Sequence, residues 1–161
     1  MKSIVAALAT LLAAALAAAA ARAESPDAAR AILAPFYQAL NAEFAGESAD
    51  LIRQATAPEW TSCGGNEACT TRDKVIAGIA ARLKSIPDLK WQIKDVLISG
   101  DQVTVRGEAT GTPAGEFFGA THTGKSFKVM SIDVRTLRDG KMVRSYHIEN
   151  WSGAVRQLST N

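Results

Sequence analysis

The chain is short of the residues that build metal centres and disulfide scaffolds: its 161 residues include two histidines and two cysteines. His122 and His147 lie far from Cys63 and Cys69 and share no ligand spacing with them, which argues against a zinc site. The cysteines are too far apart for a Cys-x-x-Cys redox motif. No serine sits in a nucleophile-elbow pattern, and there are no repeats or low-complexity linkers. An excess of charge is missing too, with 18 basic residues against 16 acidic.

What is present begins with a leader. Met1-Lys2-Ser3 is a basic start, Ile4 to Ala21 is uncharged, and Ala21-Arg22-Ala23 is a small-x-small pattern followed by Glu24. In that order these parts read as a secretory signal peptide over residues 1–23. The alternative, a membrane anchor, fits poorly with a run made mostly of alanine. Removing these 23 of 161 residues leaves one domain, 24–161, of ordinary size. It also removes Lys2 and Arg22, so the remaining charges balance. A neutral domain without a membrane span gives no reason to expect nucleic acid or an anionic membrane as partner. Export implies a periplasmic or secreted protein. There Cys63 and Cys69 would form a disulfide closing a glycine-rich turn, worth about 2 kcal/mol for so short a loop.

Ser25-Pro26 starts a helix whose apolar residues Ile32, Phe36, Leu40 and Phe44 recur every fourth position, with Pro35 expected to kink or restart it and Gly46 to end it. A short helix over about 47–55 follows. Pro58-Glu59-Trp60 and the cysteine loop read as a bridge. Thr70 or Thr71 caps a third helix running to about Ser85, with Val75, Ile76, Ile79, Leu83 and Ile86 on one face. Four strands are then expected, over 89–99, 102–112, 127–137 and 142–151, with a last helical turn over 152–158. The first strand shifts phase between Ile93 and Val96, the mark of a bulge. Helices followed by hairpin-linked strands make an α+β domain with an antiparallel sheet.

Arg138-Asp139-Gly140 is a hairpin signal. A three-residue turn with Gly140 left-handed would set Ile132 opposite Tyr146 and Asp133 opposite Ser145, keeping each face chemically consistent. Asp133, His147 and Glu149 then share one face. A histidine beside carboxylates can act as acid or base near neutral pH; the same residues would be ordinary on a solvent-facing hairpin. Trp60, Trp91, Trp151, Tyr37 and Phe117-Phe118 either pack in the core or wall an apolar cavity. Gly119 to Ser126 satisfies G-x-x-x-x-G-K-S, but the residues after it read as a strand, not a helix, so no nucleotide is expected there.

The chain resembles the SnoaL-like polyketide cyclases and predicted ester cyclases of the nuclear transport factor 2-like superfamily. The resemblance rests on Phe36-Tyr37-Gln38-Ala39-Leu40-Asn41, on Gly111-Thr112-Pro113-Ala114-Gly115-Glu116-Phe117-Phe118-Gly119, and on Thr123-Gly124-Lys125. It continues through Ile132-Asp133-Val134, Asp139-Gly140-Lys141-Met142-Val143, Tyr146-His147-Ile148-Glu149-Asn150-Trp151 and Gly153-Ala154-Val155-Arg156-Gln157-Leu158. It implies a cone of helices packed on a curved sheet, and cofactor-free acid/base chemistry on a small apolar carbonyl compound. Asp133 and His147 look equivalent to the family's proton-handling pair, with Glu149 orienting the imidazole. Asn150 stands where many members carry Asp. Tyr37, Trp91, Arg106 and Tyr146 are the expected substrate contacts. Binding of a small molecule without turnover is the alternative, and a second copy of the chain is a further candidate partner.

Overall fold

The computed structural model describes residues 25–66 and 68–160. Residues 1–23, read as a signal peptide, lie outside them. Helix α1 (Pro26–Ala39) starts as its sequence dictates: Pro26 needs no N–H partner, and the Ser25 hydroxyl accepts from the Ala28 amide. It runs unbroken through Pro35 and buries Ala29, Leu33, Phe36 and Tyr37. A single 3₁₀ turn (Ala42–Phe44) leads to α2 (Ser48–Ala55). Then come β1 (Thr56–Cys63), β2 (Cys69–Thr71) and α3 (Arg72–Ser85). Four longer strands follow, β3 (Lys90–Ser99), β4 (Gln102–Gly111), β5 (Phe127–Arg138) and β6 (Lys141–Glu149), before α4 (Trp151–Ser159).

The strands form one sheet in the order β2-β1-β6-β5-β4-β3. The fold is α+β, but the sheet is mixed, because β1 runs parallel to β6. The expected bridge at Pro58 to Trp60 is therefore a strand. Pro58 hid it, since a proline cannot donate to a ladder. It is tolerated because pairing with β6 is interrupted there, between Thr56↔Met142 and Thr61↔Arg144. β1 and β2 form a hairpin in which Cys63 faces Cys69, and the two are joined by a disulfide. Among the described residues, no helix is long and apolar enough to cross a membrane.

The β5–β6 register also departs from expectation. The turn has two residues, Asp139 and Gly140, both at positive φ (51° and 70°), and Arg138 pairs with Lys141. That is the turn type whose twist suits a hairpin. Leu137 pairs with Met142, but Thr136 pairs with Arg144, so Val143 is an extra residue on β6. This bulge shifts the phase by one residue. Asp133 therefore faces His147 directly, not Ser145, and Ile132 faces Ile148, not Tyr146. The expected bulge in β3 is present between Ile93 and Asp95.

Candidate active site

Ser131, Asp133 and Arg135 alternate along β5 and point to the helix-covered face. Opposite them on β6 stand Glu149, His147 and Ser145. Six polar side chains thus lie on two central strands, under α1 and α3.

Asp133 is 3% exposed, and both of its carboxylate oxygens are occupied. Arg135 Nη2 donates to Oδ1 at 2.9 Å; Tyr37 Oη donates to Oδ2 at 2.8 Å, and Ser131 Oγ at 3.4 Å. Arg135 is itself buried, its guanidinium carbon 4.5 Å from the centre of the Phe36 ring. Burial opposes the Arg135 charge, but Asp133 and Tyr37 outweigh it and raise the guanidinium pKa above its ordinary value. Burial, with Asp133 adding to it and Arg135 opposing, pushes the Tyr37 hydroxyl well above the ordinary phenol range, so it stays protonated and donates. Beside this cluster the Trp60 indole N–H donates to Ser145 Oγ at 2.9 Å.

His147 is partly buried, with Nδ1 3.1 Å from Glu149 Oε1. Burial pushes the Glu149 carboxyl pKa up, but the hydrogen bond and charge of His147, helped by Arg82 and Arg135, bring it below the usual carboxylate value. Glu149 is therefore an acceptor at neutral pH. With Glu149 as acceptor, Nδ1 carries the shared hydrogen, so in the neutral tautomer of the ring Nε2 is the nitrogen left with a lone pair.

These groups border a cavity of about 240 Å³. Asp133, Arg135, His147 and Glu149 line it from the sheet; Phe36, Leu40, Leu89 and Trp91 supply apolar wall. Helix α3 contributes Lys74, Val75, Gly78, Ile79 and Arg82, and the β1–β2 hairpin contributes Ser62 and Thr70. Among the described residues no cluster of histidine, cysteine and carboxylate suited to a metal ion is found.

Of the residues singled out from sequence, His147, Asp133, Glu149 and Trp91 border this cavity, and Tyr37 reaches it through Asp133. Arg106 and Tyr146 do not. Arg106 lies on the outer face of β4, paired with Asp95, and Tyr146 lies on the outer face of β6, 41% exposed beside Arg144. Strand alternation explains both: each is one residue out of phase with the inward set. Arg135 and Arg82 were missed. Arg135 is two residues beyond Asp133, so alternation alone puts the pair on one face. Arg82 follows Val75 by seven and Ile79 by three, the same side of a helix. The string Gly119–Ser126 runs straight into β5, so no helix start follows it.

Residues 33–158 match the family model for SnoaL-like polyketide cyclase. No curated protein matches the chain. Among solved structures, it is similar to a protein of Jannaschia sp. CCS1 described as a SnoaL-like polyketide cyclase. Identity is 22% and the TM-score 0.70, over 83% of this chain and 92% of that one. It is also similar to IdmH of Streptomyces antibioticus, described as a polyketide cyclase, at 24% identity and TM-score 0.69 over 81% of this chain and 97% of that one. AclR of Streptomyces galilaeus, described as a hydroxylase, has 22% identity and TM-score 0.68, over 83% and 97%. At these identities the likeness to solved structures establishes the fold. The family follows from a model match that spans most of the chain: this protein belongs to the SnoaL-like polyketide cyclase family.

Proposed function

We propose that the domain is an acid/base enzyme acting, without a cofactor, on a small and largely apolar carbonyl compound. The observation that carries this is the pairing of His147 with Glu149, and the position of Asp133 directly opposite His147, at the edge of one small cavity with apolar walls. His147 takes a proton from carbon next to the carbonyl. Glu149 steadies the imidazolium that forms, as a carboxylate orients a catalytic histidine elsewhere. The oxyanion is quenched by the proton that His147 removed, returned from the imidazolium. Asp133, held by Tyr37, Arg135 and Ser131 directly opposite His147, is the second proton-handling group, an acceptor through which that proton can pass. We also place this work outside the cytoplasm, a reading supported by the Cys63–Cys69 bridge and the leader-like residues 1–23.

The test is turnover of a panel of enolisable and cyclisable carbonyl compounds. His147→Ala and Asp133→Asn should each lower kcat by at least about 10², with the fold confirmed by circular dichroism. Full activity in both variants would show that this pair does not carry the proton transfers; no turnover of any compound by wild type would leave a protein that binds its ligand without turning it over.

A further inference from the structure

The charged groups that line the cavity are paired by contact, with one exposed exception and one partly buried. Of the three cations that line it, Arg135 is bound to Asp133. Lys74 sits exposed at the α3 end of the opening. Asp133 is held by Arg135 in an ion pair and Glu149 by His147 in a hydrogen bond, so Glu149 acts on Arg82 only as a charge at a distance. Arg82 remains. It is partly buried, and its guanidinium carbon lies 4.7 Å from the centre of the Trp151 ring. Among the described residues, no acid lies within ion-pairing distance of it. Burial lowers its pKa, and Glu149 only partly offsets this. A guanidinium partly withdrawn from water, over an aromatic ring and with no carboxylate in direct contact, is poised for one. Gly78, one turn earlier on the same face of α3, has nothing within 4 Å of where a side chain would begin, so the wall stays open beside it.

We propose that Arg82 is an anchor for a carboxylate on the substrate, so that the ligand class is an apolar oxo acid: an acid group at α3 and an enolisable ketone at His147 and Asp133. This rests on the reading of the cavity as the reaction site. The guanidinium fork matches a carboxylate in two parallel hydrogen bonds, which an ester cannot accept in the same way with the same charge.

The experiment compares β-benzoylpropionate with its methyl ester. Binding is measured by calorimetry and exchange of the hydrogens beside the ketone by NMR in deuterium oxide, for wild type, Arg82→Gln, Arg82→Lys and His147→Ala. Wild type should bind the acid at least about tenfold more tightly than the ester. Arg82→Gln should erase that preference by weakening the acid alone, and Arg82→Lys should keep part of it. Thermal melts of both Arg82 variants confirm that they fold. An acid-to-ester ratio that is unchanged in Arg82→Gln, or near one in wild type, overturns the anchor. So does failure of wild type to bind either compound. Exchange reports separately on the acid/base reading. If binding discriminates but wild type and His147→Ala show no difference in exchange, the anchor stands and His147 is not the base. If exchange depends on His147 while acid and ester bind alike, the base stands and the anchor falls.

Discussion

The two faces of the central sheet are the reverse of what amphipathic patterning leads one to expect. Over Met130–Arg135 of β5, the face turned into the protein carries Ser131, Asp133 and Arg135, while the face turned to solvent carries Met130, Ile132 and Val134. On β6, Ser145, His147 and Glu149 face in; Tyr146 and Ile148 face out, with Ile148 69% exposed. The usual inward-apolar pattern returns at the ends of β5, where Phe127, Val129 and Leu137 are buried. The inversion is thus confined to the stretch beneath the cavity. Burying an aspartate, an arginine and two serines there is costly unless each finds a partner. Each has at least one, through Tyr37, Trp60 and one another. A sheet organised only for stability would not need this arrangement; one that must hold reactive groups in fixed positions does.

The contrast can be broken most forcefully at Asp133. Asp133→Ala leaves Arg135 buried without its carboxylate and should cost about 3–5 kcal/mol in urea unfolding. Replacing both partners, Asp133→Leu with Arg135→Met, should recover much of that loss, because two apolar groups need no compensation. A single-variant loss under 1 kcal/mol would mean that water reaches the pair.

A smaller and pH-dependent effect is expected at Glu149. Its folded pKa lies below the ordinary 4.5, so its contribution to stability is at full strength above that pH and decays as pH falls through the lower folded value. The difference in stability between wild type and Glu149→Gln should therefore be flat at neutral pH and shrink on the acid side. A difference that grew with acid would reverse the assigned sign.

The smallest effect belongs to the outer face. Ile148→Thr should change the stability of the isolated chain by no more than about 0.5 kcal/mol, as for most exposed positions. A loss several times larger, dependent on protein concentration, would show that this face is covered in solution.

Much of this was legible in the linear order of residues. The capped start of α1, the start of α3 after Thr71, the place of the β5–β6 turn and the β3 bulge are local features, although that turn has two residues where three were expected. Each depends on neighbours within a few residues, where backbone sterics and periodicity act directly. Alternation puts His147 with Glu149; that Asp133 shares their face depended on the register, and the expected and observed registers differ by two residues, which leaves the face unchanged. The partnering of β1 with β6 did not follow, because a parallel pair is joined by a long crossover and Pro58 masks the strand. Nor did the register of β5 on β6, which one extra residue at Val143 resets.

Sequence by itself determined the α+β class, the family, the cysteine pair and which side chains alternate together. It could not decide which face of the sheet was inside, because Ile132 and Val134 argued for one answer and Asp133 and Arg135 for the other. Tertiary structure decided it. Tyr37 and Phe36 arrive from a helix nearly a hundred residues earlier to close over the polar face, supplying one Asp133 oxygen with a donor and the Arg135 cation with an aromatic surface. Without those distant groups the polar side would belong in water; with them, it lines the cavity.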